Sequence, residues 1–271
     1  MGLRINTNVA ALNAGRILNR STNSLNQSLE RLASGLRING AADDAAGLAI
    51  AESFNSVVRG VAVSQRNAQD GVSLVQTAEG SLGETTAILQ RIRELSVQSA
   101  NGTNSANNRA SLQTEVSQLL AQIDDIASNT DFNGIAVLSA AQTVTLQTGA
   151  QQGQTLLVAV QGAKTNDLGI NSVNISSITG AVAALSQIDT AIRSISTLRS
   201  NLGAFQNRLE FTINTLAIQE ENSTASESFI RDANIASETI KFTRNQILVS
   251  AGTSVLSQAN LVPQTALTLL R

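Results

Sequence analysis

The sequence predicts a mainly α protein: a rod of long antiparallel helices in coiled-coil packing, with a small β-hairpin. Three observations support this prediction. The 271 residues include a single proline, Pro263, so nearly the whole chain is free of the residue that breaks helices. Leucine, isoleucine and valine occur at heptad spacing in several long segments. Aromatic residues make up only 2% of the chain, which is little for a compact enzyme core.

The periodic segments predict approximate helix bounds. The first helix is expected over residues 2–37 and the second from Ala41 to about Ala100. A third helix follows the turn at residues 101–105. A fourth runs from about Ala181 toward Glu238, and a last helical segment reaches residue 271. The second would be on the order of 80 Å long, so it must lie along other helices. Asp43 and Asp44 are expected in its first turn, where carboxylates favour the positive end of the helix dipole.

The heptad positions define a predicted seam, through which helices pack within the bundle and in assembly. All of its residues are aliphatic: Leu18, Leu25, Leu32, Leu89, Ile92, Leu112, Val116, Leu119, Leu185, Ile188, Ile192, Ile195, Leu202, Leu209, Ile213 and Leu216. Arg199 and Gln206 interrupt the stripe of the fourth segment. Buried polar residues at such positions fix helix register at some cost in stability.

The middle of the chain changes from helical to strand periodicity. Residues 144–147 and 155–160 are strand-like, and glycine-containing residues 149–153 join them. We expect a β-hairpin over about residues 144–160, followed by irregular chain to about residue 179. A lone hairpin is marginally stable, so it should lean on the helices.

Composition excludes several classes of protein. Without cysteine or histidine the chain cannot build thiol or imidazole metal sites, haem ligation or a Ser-His-Asp triad. A net charge of −2 argues against binding nucleic acid. No stretch is apolar for long enough to span a membrane, and the first residues lack the apolar core of a signal peptide. Adjacent carboxylates such as Asp124 and Asp125 diverge on a helix, so we expect no catalytic residue, no enzyme activity, no cofactor and no metal.

Charge is distributed unevenly along the chain. Residues 1–29 and 239–271 carry six basic and no acidic side chains, which leaves the middle at −8. Two cationic ends do not attract each other by charge, so if they pair, packing must hold them together. We expect moderate salt to favour their association.

Several motifs are more specific. The segments that carry them are INTNVAALN (5–13), LERLASGLRIN (29–39), AADDAAGLAIA (41–51), LVQTAEG (74–80), LGAFQNRLE (202–210), SQAN (257–260), PQ (263–264) and LLR (269–271). In these segments, which lie in both terminal regions and in the same order, the chain resembles bacterial flagellins. The resemblance implies a subunit of the flagellar filament, exported unfolded by the flagellar type III apparatus, located outside the cell and polymerised into a helical tube for swimming.

The resemblance also implies a domain division. Residues 1–44 and 236–271 would form the two parts of an inner, channel-lining helical domain, with the N- and C-terminal helices paired coaxially. Residues 45–180, with the hairpin, and 181–235 would form the two parts of a rod domain. The chain leaves no room for outer domains, so it resembles a minimal, core-only flagellin. The terminal stripes are thin, and we expect both ends to be disordered in the monomer and to order on assembly.

Implied partners are further copies of the chain, a flagellar export chaperone, and the hook-associated and cap proteins. The segment QRIRELSVQ (90–98) matches the flagellin segment that animal Toll-like receptor 5 recognises, and the matching positions are Arg91, Leu95 and Glu115. Spacing places Arg91 and Leu95 on one outer face of the helix, with Leu89 and Ile92 facing the bundle.

Two alternatives stay open at this point. One is a hook–filament junction protein of the flagellum, which would form a short collar. The other is a coiled-coil scaffold that is never exported.

Overall fold

The computed structural model describes residues 7–268, apart from the side chains of residues 262–264 and 266–268. This range contains five helices and four short strands. The helices are α1 (Val9–Ser34), α2 (Ala45–Ala100), α3 (Ala106–Asn129), α4 (Ile178–Arg231) and α5 (Ile235–Thr268). The strands are β1 (Asp131–Phe132), β2 (Ile135–Ala136), β3 (Gln142–Gln147) and β4 (Thr155–Val160). The predicted mainly α fold, with long helices, a small hairpin and paired terminal helices, is confirmed.

The chain forms two compact units. We call the described residues of Met1–Ser56 and Asn222–Arg271 the terminal unit, and Val57–Glu221 the central unit. Of the quoted motifs, residues 5–6 and 269–271 lie outside the described residues, as do the side chains of residues 263–264.

The central unit is built on antiparallel packing of α2 and α4. Arg93 Nε lies 2.8 Å from Asp189 Oδ1, and Arg199 Nη2 lies 3.4 Å from Glu79 Oε1, which fixes the direction of the two helices. Between them lies a core to which α3 adds two branched side chains. Its fully buried helical residues include Leu82, Leu89, Ile92, Val116, Ile123, Ile188, Ile195 and Leu202. The expectation that Arg199 is buried in the stripe was wrong, because it lies at the surface beside Glu79.

The predicted hairpin is formed by β3 and β4. The strands pair antiparallel with Val144 opposite Val158, and β3 begins two residues earlier than expected. Side chains alternate along β4, so Leu156, Val158 and Val160 are buried. The hairpin leans on α2, where Gly60 leaves room for Ala150 of the connecting turn.

Two features of the central unit were not predicted. A second, minimal hairpin pairs β1 with β2 around Asn133 and Gly134, whose φ angles of 51° and 78° suit a tight turn. The segment 161–177 is irregular as expected, yet it contributes buried residues such as Ile170 and Ile175 to the core. Asp124 of α3 anchors this segment, because its carboxylate accepts from the Thr165 backbone N–H at 2.8 Å.

Three predicted helix bounds need correction. Helix α2 begins at Ala45, not Ala41, because Asp44 caps it: Gly47 N donates to Asp44 Oδ1 at 2.9 Å. Helix α4 ends at Arg231 and does not continue toward Glu238. Asn234 starts α5, since its Oδ1 accepts from Ser237 N at 3.0 Å. Helix α1 spans Val9–Ser34, shorter than residues 2–37.

One row of hydroxyl groups along α2, from the half-buried Ser73 to the buried Thr85, donates to the backbone of the same helix. Ser73, Thr77, Ser81 and Thr85 each donate to the carbonyl four residues earlier, at 3.1, 2.9, 3.2 and 3.0 Å. Their donors are therefore used within the helix, while Ser81 Oγ also accepts from Thr130 Oγ1 at 2.9 Å.

Candidate functional site

The terminal unit is organised by a seam between α1 and α5. On α1 the buried residues Ala14, Ser21 and Ser28 are seven apart. The predicted seam residues Leu18, Leu25 and Leu32 alternate with them and are half-buried. This 4-3 alternation is a heptad pattern in which small residues allow close approach and leucines fill the space beside them.

Helix α5 packs against α1 through a heptad row of its own. Glu238 is buried, and the half-buried residues that follow at 4-3 spacing are Phe242, Asn245, Val249, Gly252, Leu256 and Ala259. A Cβ on Gly252 would lie 3.2 Å from Leu18 Cδ1, so the absence of a side chain there permits the contact. Asn8 Nδ2 donates to Ala259 O at 2.7 Å, which makes the pairing antiparallel. We call these two rows the terminal seam.

The terminal seam leaves much apolar surface uncovered. Large aliphatic residues are exposed on both helices, and Ile247 is 63% exposed. They are Val9, Leu12, Ile17, Leu29, Ile235, Ile240, Ile247, Leu248, Val255 and Leu261. An open groove along α5 is lined by Ala236, Ile240, Thr243, Ile247 and Leu248, among others. Contiguous exposed apolar surface of this kind is typical of a surface that other protein covers.

The breaks that flank the terminal seam are tied to each other. Leu36 and Asp232 form an antiparallel bridge, and Arg37 N donates to Arg231 O at 2.6 Å. The Arg37 guanidinium also donates to Ile230 O, 3.1 Å from Nε. Gly35 ends α1 at a φ of 73°, a conformation that favours glycine.

Asp43 holds the chain between α1 and α2. Its Oδ2 accepts from Asn39 N at 3.1 Å and from Gly40 N at 3.3 Å, and its Oδ1 accepts from Gln27 Nε2 at 3.1 Å. Arg31 Nη2 lies 3.5 Å away. The backbone hydrogen bond from Asn39, followed by that from Gln27, lowers the pKa of Asp43.

The proposed receptor segment lies on α2 and α3 in the central unit. Arg91 donates to Glu115 Oε1 from Nε at 3.0 Å and from Nη2 at 2.8 Å, and its Nη1 lies 3.2 Å from Glu94 Oε2. Hydrogen bonds to Glu115 and then Glu94 raise the pKa of Arg91. Both Arg91 and Glu115 are exposed.

The prediction that Leu95 shares an outer face with Arg91 was wrong. Leu95 is 1% exposed and belongs to the central core. Helices α3 and α4 both pack on α2 here, because Arg91 reaches Glu115 on one side and Arg93 reaches Asp189 on the other. The buried face of α2 is therefore wider than one heptad stripe and includes Leu95.

The other predicted seam residues lie inside the central unit. Leu89, Ile92, Val116, Ile188, Ile195, Leu202, Leu209 and Leu216 are buried. Leu112, Leu119, Leu185, Ile192 and Ile213 are half-buried. Sequence reasoning missed Ser21, Ser28, Asn245 and Glu238 of the terminal seam, because it followed only large apolar residues.

Chemistry elsewhere is sparse in the described part of the chain. Its acidic side chains form no group of three or more that could hold a metal ion. Among residues 7–268, none of the helices combines the length and apolar character needed to cross a bilayer.

Known proteins match this arrangement at both ends. Residues 5–143 match the bacterial flagellin N-terminal helical region, and residues 185–270 match the bacterial flagellin C-terminal helical region. The chain belongs to the bacterial flagellin family. As a flagellin it is a structural, non-enzymatic subunit of the flagellar filament, which lies outside the cell and serves motility.

Relatives cover nearly the whole chain. It is 45% identical over 286 residues to the flagellar filament 33 kDa core protein of Treponema phagedenis, covering 98% of this chain and 99% of that protein. It is 42% identical over 304 residues to the flagellin of Bacillus subtilis, covering 99% and 100%. These matches support a flagellin over the hook–filament junction protein and the non-exported scaffold, and the short span between the two matched regions fits a core-only form.

A solved structure shares the fold at low identity. The structure of a putative flagellar hook-associated protein from Vibrio parahaemolyticus has a TM-score of 0.59 and 14% identity, covering 70% of this chain and 99% of that chain. At that identity it shows the fold alone.

Proposed function

We propose that the terminal seam and the exposed apolar rows beside it are the polymerising elements of this flagellin. In this proposal residues 1–44 and 236–271 form the channel-lining domain, while residues 45–180 and 181–235 form the rod domain. Both ends are disordered in the monomer, which suits export of an unfolded chain by the type III apparatus. They order only when other subunits cover them.

The uncovered apolar surface of α5 is the observation that carries this proposal. Ile240, Ile247 and Leu248 line an open groove in the described structure. A head-to-tail contact that repeats without closing builds an open helical fibre, in which each copy covers the apolar row of another. Hydrophobic burial then supplies the free energy that orders the ends.

Seeded polymerisation tests the proposal. Ile240→Asn with Ile247→Asn places polar amides in the groove and should abolish elongation, measured by light scattering and electron microscopy. Gln246→Asn is the matched control, because Gln246 is exposed on the same helix outside that groove. Normal filaments from the double variant would contradict the proposal.

Protein partners other than copies of the chain are a second proposal. The flagellar export chaperone would cover the apolar α5 surface before export. The hook-associated and cap proteins would meet the ends of the growing filament. The exposed Arg91 and Glu115 pair would supply the surface for Toll-like receptor 5, with Leu95 supporting that surface from below rather than touching the receptor.

A receptor reporter assay separates these roles. Arg91→Ala should weaken the response about tenfold without changing the melting temperature, as expected for an exposed anchor residue. Arg93→Ala, which removes a similarly exposed arginine, is the matched control. Equal responses of the two variants would remove Arg91 from the recognition surface.

A further inference from the structure

The terminal seam repeats itself, and this creates a problem of register. On α1, leucine and small residues alternate in the same way over three heptads, at residues 14–32. On α5, residues 242–259 also repeat a large apolar residue followed by a small or polar one. A slip of seven residues would leave leucine against the same kind of surface, so apolar packing alone discriminates poorly between registers.

Glu238 breaks this repetition. It is the only acidic residue in the sequence of α5, and it is 5% exposed within the seam. Its Oε2 lies 3.0 Å from Lys241 Nζ on its own helix. The antiparallel alignment of Asn8 with Ala259 and of Leu18 with Gly252 places the buried Glu238 against the last turns of α1, which carry the buried Ser28 and the half-buried Arg31. Both residues lower the pKa of Glu238, Ser28 as a hydrogen-bond donor and Arg31 through its charge.

A slipped register would remove the α1 partners. A slip in one direction replaces Ser28 by Ser21 and Arg31 by Ser24, so the buried carboxylate loses its cation on α1. A slip in the other direction places Glu238 beyond Ser34, where α1 ends. Arg31 is itself fixed by Asp43, so the native position is also tied to the chain that follows α1. Burying a carboxylate without such partners is strongly unfavourable.

We propose that Glu238 is the side chain within the terminal seam that sets the register of α5 against α1 when the subunit assembles, in support of the backbone bridge between Leu36 and Asp232 at the end of the seam. The proposal rests on the proposed function, because it assumes that the terminal seam forms in the filament. Glu238 acts as a specificity-determining residue, because it selects one of several apolar alignments. Ser28 and Arg31 of α1 are near its carboxylate only in the native alignment.

Disulfide cross-linking in assembled filaments tests the register directly. The sequence contains no cysteine, so introduced pairs have no background. A Cβ at position 252 lies 3.7 Å from Leu18 Cβ, which is within the range that a disulfide requires. Leu18→Cys with Gly252→Cys therefore reports the native register. Ala11→Cys or Leu25→Cys, each with Gly252→Cys, reports a slip of one heptad in either direction.

With Glu238 present, the native pair should cross-link at least about tenfold more than either slipped pair, because the slipped carboxylate is buried without its partners. With Glu238→Leu, cross-links at the slipped pairs should rise severalfold relative to the native pair, and only the bridge of Leu36 with Asp232 and the hydrogen bond of Asn8 to Ala259 should still favour the native register. Ser28→Ala with Arg31→Ala should have the same effect from the other helix. Glu30→Leu is the matched control, since Glu30 is an exposed acid on α1, and it should leave only the native cross-link.

The outcomes separate the two proposals. If only the native pair cross-links in filaments of Glu238→Leu and also in filaments of Ser28→Ala with Arg31→Ala, then Glu238 does not set the register. If Glu238→Leu does not polymerise alone, the Ser28→Ala, Arg31→Ala variant decides, and copolymers of Glu238→Leu diluted into wild-type chain provide the same readout. Absence of every cross-link in filaments with Glu238 intact would instead overturn the proposed role of the terminal seam.

Discussion

The central and terminal units use similar helices but differ in what those helices bury. In the central unit, three helices, a hairpin and an irregular segment enclose a continuous apolar core. Among the described residues of the terminal unit, the buried apolar residues are Ala14, Ile38 and Ala51. Large apolar residues lie at its surface instead, and Phe229 is 89% exposed. The central unit carries its own stability, whereas the terminal unit has apolar surface that only another molecule can cover.

Truncation should give the largest difference between the units. Deleting about 30 residues from either end removes most of α1 or most of α5 and should abolish polymerisation completely. The central unit should stay folded, because its core contains none of these residues. Circular dichroism melting and electron microscopy measure the two effects, with the full chain under the same conditions as control. Normal filaments from either truncated chain would show that polymerisation does not depend on the terminal unit.

Leucine-to-alanine substitutions at one position in each unit should show the same difference between the units on a smaller scale. Leu82→Ala, in the central core, should lower the free energy of unfolding of the monomer by about 2–5 kcal/mol. Leu25→Ala, in the half-buried terminal seam, should change it by about 1 kcal/mol or less, yet slow filament elongation. Urea melts and seeded elongation rates compare the variants. Equal destabilisation of the monomer would mean that the terminal seam is already packed before assembly.

Acid should act on the terminal unit through two carboxylates. Burial raises the pKa of Glu238, but Lys241, Ser28 and Arg31 outweigh it, so its pKa lies below the ordinary value, as does that of Asp43. A carboxylate with a lowered pKa stabilises the folded state fully above its unfolded pKa of about 4, and this contribution is lost as pH falls through the folded pKa. Filaments should therefore weaken as the pH falls below about 4.

A double variant isolates this contribution. Asp43→Asn with Glu238→Gln should be less stable than wild type at pH 7 and should depend less on pH between about 5 and 3. Thermal melts of filaments over that range provide the measurement. Identical pH profiles for the two proteins would show that other groups cause the acid response.

Ionic strength should have the smallest effect on polymerisation. The described ends carry exposed Arg16, Arg20 and Lys241, while Arg4 and Arg271 lie outside the described residues. Screening of cation repulsion should favour polymerisation as ionic strength rises from very low values to about 0.15 M. Turbidity across that range measures it, and a steady loss of polymer would contradict the charge argument.

Sequence reasoning succeeded where one pattern dominates. Heptads predicted the long helices, and period-two alternation predicted β3 and β4. It placed Leu95 wrongly because a helix that is packed from two sides buries a wider face than one stripe. It missed the end of α4 because neither glycine nor proline marks residues 228–236, although Asn234 is a recognisable helix cap. It missed the polar half of the terminal seam, since Ser28 and Glu238 become informative only when the two helices are aligned.

The hydroxyl row of α2 bears on how a propeller tolerates bending. Each turn of a flexing fibre stretches one side and compresses the other, so adjoining molecules must shear past one another. In this row the half-buried Ser73 and the exposed Thr77 already donate to carbonyls of their own helix. A neighbouring molecule that slides across these two hydroxyls would therefore break no hydrogen bond donated by them.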